Sequence, residues 1–591
     1  MAETISATET RRRLLIIGID GGTWRLLDPM AARGLLPSLA GLVARGFRAD
    51  LRSTIPPNSA AAWASFVTGK NPGRHGILRF QATRPSKELG REYRPGAYTF
   101  VNADSIAGRR FWDVLGAAGR RCAVITVPMS YPPRPLNGIL ITGLLTPPGA
   151  RDFTWPRELA ETMPDYRIEQ PLAAMGFDEA ADRELVRSSI EILEMQARAA
   201  LRLLAQEPWD LFFIVFTGTD RLQHRLWDHL DPEQWGRLPT CPSDDAKWGR
   251  LPTCPSGDAK WGRLPTCPSD DATFFREQLD RYYGLLDETI GHLVAAAGEQ
   301  ANCIVLSDHG FGPAPGRALY RRALARELGL IQGEGVGGFH SLRAFLERHN
   351  LVTGDRLRRL LAGTALRRVL SRVARVARVK EQEAWRTSRA YLVVLHKYLG
   401  GIGINVDPGD PAYEPLRTSL LEKLAAVRDP DTGARIVTQA WRREEIYHGA
   451  RLGVCPDVLF RIDERYGLAH GEAPGGRLVC EKRFRSQGIH RDEGILVLAG
   501  PDIERARSDA PFQIPDVTAS ALYLLGAPIP SDMDGRPIVE AIRAEYRDRH
   551  PVRVAPASAD AEPAAVPEAT WRSIEDEEAV ADQLRDLGYL D

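Results

Sequence analysis

Asp308 and His309 stand side by side at the end of an apolar run, in Cys303-Ile-Val-Leu-Ser-Asp-His-Gly-Phe-Gly312. The run Ile304, Val305, Leu306 reads as a buried strand, and ligands of open α/β sheets gather at the carboxyl ends of such strands. A carboxylate oxygen next to an imidazole nitrogen suits zinc or manganese better than calcium or magnesium. Alone the pair is a weak signal, because Asp-His after a strand also caps ordinary turns. Three other strand ends add weight to it. The apolar run from Leu14 delivers Asp20 into a glycine turn, and Gly18, Gly21 and Gly22 lack the G-x-G-x-x-G spacing of a dinucleotide site. The run after Trp209 is followed by Asp220 and His224, which share one side of a helical turn. His490 comes just before another apolar strand, in Gln487-Gly-Ile-His-Arg-Asp-Glu-Gly494. Each has a plain alternative: a turn aspartate, the polar first turn of a helix, a structural histidine.

Together these strand ends offer Asp20, Asp220, His224, Asp308, His309 and His490. Three carboxylates and three imidazoles are too many for one tetrahedral zinc. They suit two divalent ions, zinc or manganese, that hold the attacking and leaving oxygens of a displacement.

Such a centre needs a nucleophile. The segment Ser53-Thr-Ile-Pro-Pro-Asn-Ser59-Ala-Ala-Ala-Trp63 continues to Thr68-Gly69, Pro72 and His75-Gly76. Here the chain resembles the alkaline phosphatase superfamily, and within it the type I phosphodiesterase/nucleotide pyrophosphatase branch. Members carry Thr or Ser at a fixed distance before a Thr-Gly, then Pro and His-Gly. That spacing lands on Ser59. The resemblance implies that Asp20, Ser59, Asp308 and His309 hold one ion, and that Asp220, His224 and His490 hold the other. It runs from about Leu14 to about Ile538 and includes Pro456-Asp457 and the stretch from Asp516 to Arg536. It implies a metal-dependent hydrolase of phosphodiester or pyrophosphate bonds, working through a phosphoserine. Thr54 also precedes a proline, but only Ser59 keeps the spacing. Phe80 stands about where many members place an Asn that holds a phosphate oxygen.

Strand and helix alternate between these motifs. Asp104 to Ala118, Asp178 to Gln206 and Gln278 to Ala297 read as helices, and Arg121 to Val127 as a strand. The fold class expected is α/β: a mostly parallel central sheet flanked by helices, alkaline phosphatase-like, with cap insertions. The expected organisation is a catalytic domain over 12–545, with insertions 79–175 and 313–400 covering the site and a tandem-repeat loop at 235–273. An Ala/Pro-rich linker and a short C-terminal helix follow in 551–591, the helix docking by Val580, Leu584 and Leu587. The repeat unit begins at Trp235, Trp248 and Trp261, is too short for a solenoid, and carries prolines that bar a continuous helix. Its cysteines, Cys241, Cys254 and Cys267, fit no zinc spacing.

Lys plus Arg and Asp plus Glu both number 77, so no affinity for a nucleic acid polymer is expected. Hydrophobic content of 43% and charged content of 26% are those of an ordinary globular protein. Met1 to Thr10 is polar, no run is long enough to span a bilayer, and no disulfide framework is indicated, so the expectation is cytoplasmic. Residues 355–380 alternate an apolar face (Leu366, Val369, Leu370, Val373) with arginines (Arg367, Arg368, Arg372, Arg375), which suits a surface helix or a peripheral contact with an anionic membrane. The expected partner is a small phosphate ester. The same superfamily also offers a phosphomonoesterase, a sulfatase or a phosphoglycerate mutase-like enzyme, and a binding protein without catalysis is a further class. Ser59 is followed by Ala-Ala-Ala rather than a sulfatase motif, and His490 lies much farther beyond His309 than a mutase pattern allows.

Overall fold

The computed structural model describes residues 12–81, 100–168, 178–231, 270–331, 388–470, 473–482, 484, 486–557, 571, 576, 579–580 and 584. The basic stretch 355–380, the repeats and most of the C-terminal helix lie outside these residues. Among the described residues, no helix is long and apolar enough to cross a membrane.

A ten-stranded sheet organises the chain. Its strands are β1 (Arg13–Ile19), β2 (Phe47–Arg52), β3 (Cys122–Val127), β4 (Gly138–Thr142), β5 (Thr154–Trp155), β6 (Leu211–Phe216) and β7 (Ala301–Leu306). Four later strands bear on the sheet or its edge: β16 (Gly488–Arg491), β17 (Glu493–Ala499), β18 (Ala506–Arg507) and β19 (Phe512–Gln513). Of these, β17 to β19 join it, in the order β18-β2-β17-β7-β1-β6-β3-β4-β5, with β19 also on β2. The block β7-β1-β6-β3-β4 is parallel, and β17 runs antiparallel between β7 and β2. The strands β3, β6 and β7 are buried at every position. This is why Cys-Ala-Val-Ile-Thr-Val and Leu-Phe-Phe-Ile-Val-Phe read as unbroken apolar runs: helices cover both faces of a parallel sheet. Two long helices, Glu179–Gln206 and Asp270–Ala297, pack on one another and lead into β6 and β7.

The structure corrects the expectation that 79–175 interrupts the sheet. Residues 122–155 supply β3, β4 and β5, and only the flanking parts lie outside the sheet. The expected helix from Asp104 is a short 3-10 turn, Ala103–Ser105, then a helix from Phe111 to Ala117. Gly108, with φ of +91°, separates the two.

The second insertion is larger than 313–400. Strands β10 (Ala390–His396), β11 (Leu399–Ile404), β12 (Val437–Arg442) and β13 (Val458–Ile462) form their own antiparallel sheet, covered by the helix Tyr413–Ala426. Leu392, Ile402, Leu420, Leu424, Val458 and Phe460 fill a core separate from that of the main sheet. A small sheet, with β9 (Arg317–Tyr320) between β14 (Tyr466–Ala469) and β15 (Val479–Glu481), adds Leu319, Leu468 and Val479 to that core. Asp457 pins this cap. It accepts hydrogen bonds from Ile404 N and the Tyr413 hydroxyl, both at 2.7 Å, and pairs with Arg443 at 2.9 Å. The cap rests on the main domain where Leu78 packs among Tyr391, Leu395 and Leu399. Asp516 is structural as well. It caps the helix Ile514–Leu524 and binds Arg536 N at 2.9 Å. At the C-terminus, Val554–Ala555 pairs with Ile529–Pro530, so the start of the expected linker is docked. Val580 and Leu584 are fully buried against the main core.

His75 ties the helix Ser59–Thr68 to the turn behind it. It is fully buried, accepts from Ile77 N at 3.2 Å, and meets Ser65 Oγ at 2.8 Å. Burial lowers its pKa from 6.5 to about 3. The unfolded chain therefore takes up a proton between those values that the folded chain refuses. The stability His75 contributes is complete above about pH 6.5 and is lost as pH falls towards the folded value. We expect the unfolding free energy of wild type, measured relative to His75→Gln, to fall by up to about 1.4 kcal/mol per pH unit below that point. Denaturant titrations at neutral and mildly acidic pH measure this, and a constant difference between the two proteins would refute it.

Candidate active site

The parallel strands β7, β1 and β6 lie side by side, and each ends in a carboxylate. Asp20 follows β1 directly. Gly21, with φ of +70°, turns the chain away, and a side chain there would strike Phe311. Asp220 and His224 come from the first turns of the helix Gly218–Leu230 after β6, on one face as their spacing requires. Asp308 and His309 follow β7 and lead into β8 (Gly310–Pro313). This strand pairs antiparallel with β16, placing His490 opposite Phe311 and against His309. Gly310 is required at this crossing, since a Cβ there would lie 1.9 Å from Glu493 O. His490 is thus held in a strand of its own, not in the loop ahead of β17.

Ser59 is the first residue of the helix Ser59–Thr68, which Asn58 caps by accepting from Ala60 N at 3.0 Å. The partial positive charge of a helix N-terminus favours an anionic oxygen there. Ser59 Oγ lies 3.0 Å from His309 Nε2 and 3.4 Å from Asp20 Oδ1. Thr54 is turned elsewhere, with its hydroxyl donating to Pro56 O at 2.7 Å.

All seven predicted residues converge. His309 Nε2 is 3.6 Å from Asp20 Oδ1 and 3.2 Å from Asp308 Oδ2. Asp220 Oδ1 is 3.1 Å from His490 Nε2 and 3.5 Å from His224 Nε2, and those two nitrogens are 2.9 Å apart. Atoms of Asp220, His224 and His490 fall within 4.8 Å of one another, as do atoms of Asp20, Asp220 and His309. Asp220 therefore lies within reach of both groups. His224, at 9% exposure, is the most exposed of the seven; the others are at 3% or less.

The outward nitrogens of the histidines reveal their tautomers. His224 Nδ1 faces Gly488 O at 3.0 Å, His490 Nδ1 faces Pro57 O at 2.8 Å, and His309 Nδ1 faces Gly310 O at 3.1 Å. A carbonyl only accepts, so each proton sits on Nδ1 and each Nε2 turns a lone pair inwards. Burial holds His224 down at about 4 and His309 well below its ordinary value, so both stay uncharged. Burial also pushes the Asp308 carboxyl up, and its Oδ2 is buried without a hydrogen-bond donor among the described residues. For Asp220 burial acts upwards too, but the neighbouring histidines His224, His490 and His309 outweigh it and hold the carboxyl low. Lone pairs and carboxylates packed this closely repel unless a cation joins them. The donor set, its inward tautomers and the carbonyl partners behind them fit divalent metal ions.

Several supporting residues were not singled out by sequence. Trp63 donates from Nε1 to Asp20 Oδ2 at 3.0 Å, leaving the other oxygen for the centre. It lies four residues after Ser59, on the same helical face, which is a signal the sequence does contain. Thr219 donates to Asp20 O at 2.5 Å, and Gln223 to Gly21 O at 2.9 Å. Ser486 meets His224 Nδ1 at 2.8 Å.

Fold and site define an α/β protein with a buried carboxylate–imidazole centre at the carboxyl edge of its sheet. The sequence matches the type I phosphodiesterase / nucleotide pyrophosphatase family over residues 14–491, and the chain belongs to that family of metal-dependent phosphoester hydrolases. No curated protein sequence matches it. Among solved structures, it is similar to phosphonoacetate hydrolase from Sinorhizobium meliloti 1021 in complex with phosphonoacetate. Identity is 14% and the TM-score 0.45, over 88% of this chain and 96% of that one. The same enzyme in complex with phosphonoformate gives 14% and 0.44 over the same shares.

Trp63 has room only because Gly18 has no side chain: a Cβ would sit 2.6 Å from the indole ring. Trp63→Phe removes the donor to Asp20 while keeping most of the ring. It should weaken zinc or manganese affinity about tenfold, the usual cost of losing such an outer partner. Gly18→Ala should produce a loss of the same sign by displacing the indole. Competition titration against a chromogenic chelator checks both, and unchanged affinity in Trp63→Phe would rule out the positioning role.

Proposed function

We propose that this protein hydrolyses phosphodiester or pyrophosphate bonds through a phosphoserine on Ser59, with two divalent ions, zinc or manganese, in the centre. The observation that carries this reading is the placement of Ser59 Oγ. It stands at a helix N-terminus, 3.0 Å from His309 Nε2, inside a cluster of three carboxylates and three inward imidazoles. Asp20, Ser59, Asp308 and His309 would hold one ion, and Asp220, His224 and His490 the other. Bound there, the ions would supply Lewis-acid charge that acidifies the serine hydroxyl and stabilises charge at the attacking and leaving oxygens.

The chain's own residues perform the rest. The Ser59 hydroxyl loses its proton as Oγ bonds to phosphorus, and the bond to the leaving oxygen breaks with its electron pair. Water then attacks the phosphoserine, the bond to Oγ breaks, and Ser59 regains a proton. The helix N-terminus favours negative charge on Oγ throughout, and the Trp63 contact keeps Asp20 in place. Phosphoryl transfer asks for positioning and charge neutralisation, which a rigid sheet edge provides. The described cysteines, Cys122, Cys303, Cys455 and Cys480, are free thiols, which is in keeping with a cytoplasmic setting.

Purified protein should carry about two zinc or manganese ions per chain. Asp308→Asn should lower that content and abolish turnover of bis-p-nitrophenyl phosphate. Full activity after rigorous chelation would refute the metal reading. Ser59→Ala should keep its metal and its fold yet lose several orders of magnitude in rate, whereas Thr54→Ala should have a mild effect. Mass spectrometry of acid-quenched enzyme should locate phosphate on Ser59; phosphate on another residue would show that the nucleophile is misassigned. Diesters should exceed the matching monoesters in kcat/KM. The reverse order would indicate a phosphomonoesterase.

A further inference from the structure

The cap brings a histidine to the centre, with a lysine next to it, that the mechanism above does not use. His396 is the last residue of β10, and Lys397 and Tyr398 form the turn into β11. The His396 ring stacks on His490 with centroids 5.4 Å apart, and His490 stacks on His309 at 3.6 Å. The three imidazoles form a row that starts beside Ser59 and ends at the cap. The Nδ1 of His396 is buried and has no hydrogen-bond partner among the described residues. A polar nitrogen left this way costs free energy unless a ligand completes it. Lys397 Nζ lies 5.6 Å from the centre of the Phe484 ring, two residues from Ser486, which holds His224. His396 thus stands at the His490 end of the row, on the side of His490 that the cap covers, with Lys397 next to it in the turn.

In an in-line displacement the leaving group departs opposite the nucleophile. We propose that His396 and Lys397 form a leaving-group subsite, selecting substrates whose leaving group carries its own anionic oxygen, on a phosphate or a carboxylate. This rests on the phosphoester reading above. The subsite has an imidazole that can donate one hydrogen bond and an ammonium that supplies a charge. A neutral aryl leaving group would satisfy neither.

The test compares kcat/KM for phenyl phosphodiesters of p-nitrophenol and of carboxylated p-nitrophenol, and for phenyl pyrophosphate, in metal-loaded wild type, Lys397→Gln and His396→Gln. Wild type should favour the anionic leaving groups. Each variant should keep its metal content and lose about tenfold of that preference, the worth of one charge-assisted hydrogen bond. Loss confined to the carboxylated ester would identify a carboxylate ligand, and loss confined to the pyrophosphate a phosphate. An unchanged preference in Lys397→Gln, whose half-buried side chain is the safer change for folding, would overturn the subsite and leave the proposed hydrolysis standing. Metal-loaded wild type that cleaves none of the esters would overturn both.

Discussion

Three carboxylates buried at the ends of adjacent strands are the constraint on which this structure turns. Each of Asp20, Asp220 and Asp308 is nearly inaccessible to water. Burying one uncompensated charge already costs several kcal/mol. Three neighbouring carboxylates raise that cost further unless a cation joins them. The fold keeps them together because β7, β1 and β6 are fixed by parallel hydrogen bonding and by apolar runs buried on both faces. The sheet's stability holds these carboxylates and imidazoles in an arrangement that a bound cation would relieve.

The backbone supports the centre as much as the side chains do. Carbonyls of Pro57, Gly310 and Gly488 fix the three imidazoles, and Gly310 lets β8 cross beside β17 without a clash. Pro57 lies just before the capping Asn58, so the segment that presents Ser59 also orients His490. Nucleophile and ligands are in this way coupled through main chain, and a shift of the Ser59 helix would move His490 with it.

Much of this was readable in the sequence. The apolar runs of β1, β6 and β7 are unbroken, and a carboxylate follows each, because parallel strands buried on both faces leave no polar position before their ends. The spacing from Thr68-Gly69 to Ser59 and the four-residue step from Asp220 to His224 are local, and local geometry survives without tertiary information. Other features were not legible. His490 sits in β16 because of a pairing with a strand far back in the chain, and long-range pairing leaves no mark on a single segment. Arg121 to Val127 reads as a strand, but the sequence did not show that it and the strands up to 155 join the main sheet. His396 lies in Val-Leu-His-Lys, with no motif around it, and its place beside His490 depends wholly on the docking of the cap.

That docking divides the labour between the layers. The sheet edge supplies chemistry that every phosphoester needs, from residues whose positions the β7-β1-β6 register dictates. The cap has a core of its own, so its turns can change without disturbing that register. It nevertheless reaches the centre: Leu78, close behind His75-Gly76, packs under β10, while Arg79 donates to Val394 O at 3.3 Å. The segment that follows the nucleophile helix is therefore the seat on which β10 rests, and β10 ends at His396. Phe80, where many family members place an Asn, is buried at 2% exposure in the main core. An apolar ring there cannot hold a phosphate oxygen. Polar contacts to a bound substrate would then come from other residues, and the turn at His396 and Lys397, beside His490, is where the cap reaches the centre.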